Sequence, residues 1–200
     1  NASHVIVLSD ALPNSEDGGK TWLDTTWPPK RMFPKAFGDV RVLWFDQQNP
    51  NRIFMGSDGG VNISYDNGRT ADHYVNLPVG ELWGVGVDQD QPYNVYAGMQ
   101  DHDSWKGPSN GWSGSVTIAD WVTVREGDGM YNRVDPPDSR WLYNTREFGD
   151  HKRVDQTLRT MTDIMPRRPK GQPPLRWNWN TPLAISPHNP QIVYTGAQVL

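Results

Sequence analysis

The strongest constraint on this chain is a repeat. Four times it runs through a short strand ending in Asp or Ser, a polar turn with proline, and a second strand closed by a small or polar residue. The copies are Phe45-Asp46, Asn49-Pro50, Ile53 to Gly56; Val87-Asp88, Pro92, Val95 to Gly98; Val134-Asp135, Pro136, Trp141 to Asn144; and Ile185-Ser186, Asn189-Pro190, Ile192 to Gly196. The markers Asp46, Asp88, Asp135 and Ser186 are spaced by 42, 47 and 51 residues. Propeller blades of four strands repeat at about 40 to 50 residues. The windows alternate with period two and are broken by Gly and Pro, which excludes a solenoid of helices. The expectation is an all-β chain, a β-propeller.

A second motif is interleaved with the first. Ser15, Asp17, Gly19 and Thr21, followed by Trp22, share the pattern Ser-x-Asp-x-Gly-x-Thr with Ser64, Asp66, Gly68 and Thr70, and the two Asp residues are 49 apart. The pattern resembles the Asp-box, or bacterial neuraminidase repeat. As a turn it makes physical sense: each Asp accepts backbone N–H groups inside the bend and each Gly supplies a positive φ. Trp22 is expected to pack between neighbouring blades, and its counterpart in the second copy is Ala71.

Composition narrows the partners. A net charge of −4 leaves no basic excess for phosphates, so nucleic acid is set aside. The longest purely aliphatic run, Val5 to Leu8, is far short of the roughly 20 residues of a membrane span. With no cysteine there are no disulfides, thiolate metal sites or cysteine nucleophiles, so stability must come from packing. Ten Trp beside 19 Gly and 17 Pro suit short strands that bury aromatics between stacked sheets. At about 47 residues per blade, 200 residues make about four blades, read as 1–37 (partial), 38–80, 81–125, 126–175 and 176–200 (partial). The ring is expected to be larger, of seven blades or more, with this chain incomplete at both ends and the remaining blades of the same protein as its neighbours.

The run Gly56-Ser57-Asp58-Gly59-Gly60-Val61, then Ser64-Tyr65-Asp66, Gln100-Asp101, Ser104-Trp105, Asp120-Trp121, Gly127-Asp128-Gly129, Arg176 to Pro182 and Ser186 to Pro190 resembles the bacterial sortilin-like propeller family. Its members are often labelled glycosyl hydrolases of the Asp-box type. The resemblance implies an exported bacterial protein, periplasmic or extracellular, sharing its architecture with sortilin and with xyloglucanase propellers. It implies either a peptide or glycan ligand bound through loops on one face, or hydrolysis of a β-linked polysaccharide. Around Gly38 to Trp44 the family pattern carries His residues that this chain lacks.

Asp17 and Asp66 are read as structural, because turn Asp residues satisfy local backbone donors. The candidate acids are Asp58, Asp101 and Asp128 for catalysis, with Asp103 and Glu126 beside them for ligand binding. Each lies in a Gly-rich or polar segment after an expected strand, where functional residues concentrate. Hydrolysis would need two carboxyls facing each other at about 5 to 10 Å. Trp105 and Trp112, in the Gly/Ser-rich insert from Ser104 to Ser115, are the candidate stacking surface for a ligand. Trp177 and Trp179 alternate with Asn178 and Asn180 as on a strand, and core packing is their expected role. Asp101-His102-Asp103 has oxygen ligands in the manner of a Ca²⁺ loop, but three residues do not close a coordination sphere; no metal and no cofactor is expected. Pro-rich 165–174 reads as a long exposed connection.

Overall fold

The computed structural model describes residues 3–9, 12–22, 32–74, 76, 77 and 79–199. The chain forms two compact units, Asn1–Val79 and Gly80–Leu200. Both are built from antiparallel strands, and the fold class is all-β.

In the first unit β1 (Val5–Ile6) pairs with β2 (Asn14–Ser15). A four-stranded meander follows in chain order: β3 (Val40–Phe45), β4 (Ile53–Ser57), β5 (Gly60–Ser64) and β6 (Asp72–Tyr74). Alternation sends Ile53 and Met55 of β4 inward, where they pack with Val40, Leu12, Met32 and Phe33.

The turns after β2 and β5 carry the same hydrogen-bond network. Ser15 Oγ donates to Asp17 Oδ1 at 2.7 Å and accepts Gly19 N–H at 2.8 Å, while Thr21 gives Asp17 both its N–H (2.9 Å) and its hydroxyl (2.5 Å). In the second copy Ser64, Asp66, Gly68 and Thr70 repeat these bonds at 2.8, 2.8, 2.8 and 2.7 Å. Gly19 and Gly68 stand at φ 89° and 82°, which only glycine adopts without strain. Hydrogen bonds led by Thr21 hold the Asp17 carboxyl at a pKa of about 2, and those led by Thr70 do the same for Asp66. Trp22, expected between neighbouring blades, is 44% exposed, and its indole lies near Gly19.

The second unit begins with β7 (Leu82–Val87), β8 (Asn94–Met99), β9 (Ser104–Pro108) and β10 (Val122–Arg125), one sheet in chain order. A second meander is β11 (Asn132–Val134), β12 (Trp141–Thr145), β13 (His151–Asp155) and β14 (Thr160–Asp163), followed by the hairpin of β15 (Leu183–Ile185) and β16 (Val193–Thr195). The first strands of successive sheets lie together: β11 contacts β7 and β8 on one side and β15 on the other. This is the packing of consecutive propeller blades. It depends on glycine, because a Cβ on Gly98 would sit 2.1 Å from the Met130 carbonyl oxygen and one on Gly86 2.3 Å from that of Asn132. Tyr96, Val134, Leu142 and Val154 fill the space between the first two sheets.

The repeat seen in the sequence is one hairpin closed four times. The N–H of Asp46, Asp88, Asp135 and Ser186 donates to the carbonyl six residues on, at Arg52, Asn94, Trp141 and Ile192, over 3.1, 3.2, 2.9 and 2.9 Å. Two local expectations are corrected. Ser104–Pro108 is strand β9 rather than part of an insert, and residues 175–182 form no strand, their two indoles being half-buried against other rings rather than within the core. Trp179 meets Trp83 edge to face at 5.1 Å, and Trp177 meets His151 at 5.4 Å. Residues 165–174 are irregular and largely exposed. Among the described residues no helix is long and apolar enough to cross a membrane.

Candidate functional site

In an antiparallel meander alternate connections share one end, so in the second unit the turns 100–103, 126–131 and 146–150 lie at the same end of their sheets. Four of the candidate residues, Asp101, Asp103, Glu126 and Asp128, fall there. The first two turns are laced together. Asp103 Oδ1 accepts the Gly127 N–H at 2.8 Å, the Asp103 N–H returns to the Gly127 carbonyl at 3.1 Å, and Asp128 Oδ1 accepts the Asp101 N–H at 2.9 Å. Met99 closes the lacing, donating to the Asp103 carbonyl and accepting from the Gly129 N–H, both at 2.9 Å. Asp101 and Asp103 adopt φ of 59° and 69° to make this geometry.

The third turn leans on the second. The Arg146 guanidinium packs directly over Gly127 and pairs with Glu147 at 2.9 Å. Next to it Phe148 stands at φ 54° and is 58% exposed, its N–H donating to the Trp179 carbonyl at 3.0 Å. Glu126 and His102 are exposed on the same rim. Trp105 is half-buried at the start of β9, its indole N–H donating to the His102 carbonyl at 2.5 Å.

Below this rim lies a buried polar network that ties the turn roots together. Asn144 Nδ2 donates to Ser104 Oγ at 2.9 Å and to Asn132 Oδ1 at 2.8 Å; Arg125 Nη1 donates to Asn144 Oδ1 at 3.1 Å and to the Asp150 carbonyl at 2.9 Å. Arg125 also pairs with the Asp150 carboxylate. Burial pulls the Arg125 pKa down while Asp150 opposes it. Ser104 and Arg125 are the residues at which β9 begins and β10 ends, so the network fixes the turns where they leave the sheet. Asn132, Asn144 and Arg125 carry no sequence signature. A polar residue at an inward position of an apolar strand was the one available signal.

Of the remaining candidates one belongs to each unit. Trp112 is fully exposed, but it follows the end of β9 and is therefore at the opposite end of the sheet from the rim; it does not share a surface with Trp105. Asp58 belongs to the first unit, where the turn from β4 to β5 presents it to Arg41 in a two-pronged ion pair, both bonds 2.9 Å.

No protein-family model matches the chain, and no curated protein does. Among solved structures it is similar to an ancestral GH74 enzyme, at 16% identity over 98% of this chain and 26% of that one, with a TM-score of 0.41. It is also similar to YCF48 bound to D1 peptide, at 13% identity over 93% and 54% of the two chains (TM-score 0.39). A third is apo AztD from Citrobacter koseri, at 13% over 96% and 52% (TM-score 0.36). The chain thus spans between about a quarter and a half of the length of these structures.

Proposed function

We propose that this chain is part of an exported, periplasmic or extracellular propeller that binds a peptide or glycan ligand on the rim of the second unit without turning it over. One observation carries the reading: Asp103 and Asp128 each accept a backbone N–H of the opposite turn, at 2.8 and 2.9 Å, and so serve as struts between turns. A general acid needs a proton to give and a nucleophile needs a free lone pair aimed at substrate. In Asp103 and Asp128 that bond turns Oδ1 towards the neighbouring turn and fixes the side chain as part of the scaffold. What the struts support is a stiff rim carrying Phe148, Glu126, His102 and Trp105, an apolar and charged mixture suited to contact rather than chemistry.

The test is a binding and turnover screen of the folded protein against β-glucans and an arrayed peptide library. Retention without release of reducing sugar is the expected result, with Phe148→Ala weakening retention about tenfold, the scale of one exposed aromatic contact. Release of reducing sugar that disappears in Asp58→Asn, Asp101→Asn or Asp128→Asn would instead establish a glycoside hydrolase with those carboxyls in its mechanism.

A further inference from the structure

The two four-stranded sheets of the second unit enclose a cleft of about 410 Å³. Val124 of β10 and Val154 of β13 lie at its base, where they pack with Tyr96, Val134 and Leu142. Val122 of β10 and Met161 of β14 stand exposed on its two sides. The cleft is thus apolar in its depth and on its flanks. It also takes in the turn from β13 to β14, residues 156–159, which is the next connection after 146–150 and therefore lies at the opposite end of the sheet from the rim.

The charged groups along the cleft are of one sign. Lys106 and Arg159 line it and no carboxylate does. Neither cation has an anionic partner among the described residues. Lys106 Nζ lies 3.2 Å from Gln156 Oε1 and 5.3 Å from the centre of the Tyr96 ring, two neutral groups, and Gln156 is itself anchored by its Nε2, which donates to the Ser139 carbonyl at 2.6 Å. Arg159 is exposed and makes no hydrogen bond or ion pair among the described residues. The carboxylates of the same two strands are engaged elsewhere: Asp155 pairs with Arg140, and Asp163 with Lys152 and Arg167.

The backbone gives the second cation a fixed post. Asp155 Oδ1 accepts the Thr157 and Leu158 N–H groups at 3.0 and 3.1 Å, which shapes the turn, and Arg159 closes it at φ 53°. That conformation suits glycine, and a side chain there is strained. An arginine held at such a position, exposed and beside a cleft, is strain of the kind that gathers at ligand sites.

We propose that this cleft is a docking site, separate from the rim, for an extended peptide in which an acidic side chain is flanked by apolar ones. Its carboxylate is held by Lys106 and Arg159, and its apolar side chains lie on Val122, Val154 and Met161. Charge complementarity selects the acid, since two cations without anionic partners attract a carboxylate and repel a basic segment. The volume falls within the about 300 to 1,000 Å³ of ligand sites. The sheet selects a peptide over a small carboxylic acid. β10 is an edge strand, so its outer N–H and C=O groups, up to the bulge that follows Thr123, are open to an extended chain.

Fluorescence anisotropy of a labelled six-residue peptide alternating glutamate and leucine, titrated with the 200-residue chain, tests this. Saturable binding is expected, weakened about tenfold when glutamine replaces the glutamates and about tenfold in Arg159→Gly, the scale of one charge-assisted contact. Arg159→Gly relieves the left-handed backbone and should unfold no earlier in urea than the unaltered chain, so its lost binding reports the missing cation rather than a damaged fold. Absence of binding, or equal binding by the glutamine peptide or by Arg159→Gly, would overturn the proposal. Two further outcomes also would: loss of binding in Phe148→Ala, which would put the peptide on the rim, and displacement by octanoate at concentrations similar to the peptide's, which would show that the strand edge adds nothing and that the ligand is a small acid.

Discussion

Arg125 Nη1 donates to Asn144 Oδ1 across 3.1 Å, joining the last strand of one sheet to the second strand of the next. Both residues are buried, Asn144 completely. Arg125→Ala strands that amide oxygen and leaves the Asp150 carbonyl with the Arg146 N–H, at 3.0 Å, as its donor. The expected loss is about 1–3 kcal/mol, the cost of buried polar groups left unsatisfied, read from urea unfolding. Because Arg125 anchors the turn that follows it, amide exchange at Asp103 and Gly127 should quicken by more than the global loss explains. A uniform change in exchange would show that the network stabilises the unit without setting the rim.

The approach of β8 to Met130 sets a different kind of limit. A methyl group at Gly98 would sit 2.1 Å from the Met130 carbonyl oxygen, a backbone atom that cannot swing away. Gly98→Ala should cost about 1–3 kcal/mol, as overpacking does, and should lower the denaturant midpoint without changing the slope. Gly196 has open space around its would-be Cβ, so Gly196→Ala is the control and should be close to neutral.

What the sequence discloses depends on whether a residue's partner is local. The hairpins announced by Asp46, Asp88, Asp135 and Ser186, and the turns at Asp17 and Asp66, close within six residues, so spacing and residue type suffice to read them. The network of Arg125, Asn132, Asn144 and Ser104 joins residues 12 to 40 positions apart, and nothing local distinguishes them from solvated polar residues. The same limit governs the rim. Asp103 and Asp128 stood out as loop carboxylates, but their acceptor roles depend on the turns 24 and 27 residues away that supply the N–H groups. Phe148 escaped notice because a single aromatic between Glu147 and Gly149 has no periodicity. Trp105 and Trp112 read as neighbours, seven residues apart, until β9 carried them to opposite ends.

Ser64 offers a clean test of the turn network. It is fully buried, and its hydroxyl accepts the Gly68 N–H while donating to Asp66. Ser64→Ala removes both bonds without adding volume, leaving a buried donor unpaired. A loss of about 1–3 kcal/mol is expected from the unfolding midpoint, whereas Thr70→Ser keeps the hydroxyl and should be much milder. If the two variants were equally destabilising, the methyl packing of Thr70 rather than the hydrogen bonds would be holding the turn.

Acid should destabilise the protein in two steps of different origin. His151 is 1% exposed, and burial lowers its pKa from 6.5 to about 4; its Nε2 lies 2.7 Å from Thr195 Oγ1 and its Nδ1 is buried without a partner. The fold thus favours the neutral ring, so the unfolded chain binds the proton more readily. Stability contributed by His151 is intact above pH 6.5, declines as pH falls from 6.5 to about 4, and changes no further below that. Asp17, Asp66 and Asp155, held at about 2 chiefly by hydrogen bonds from Thr21, Thr70 and Arg140, act lower: their contribution is present above 3.8 and is lost as pH falls towards 2. Urea midpoints measured from pH 8 to pH 3 should therefore begin to fall below pH 6.5 and continue falling below pH 3.8. In His151→Gln, which keeps a donor for Thr195 but cannot take up a proton, the upper step should vanish and the lower one persist. A His151→Gln profile parallel to that of the unaltered protein would mean that the upper step belongs to another group.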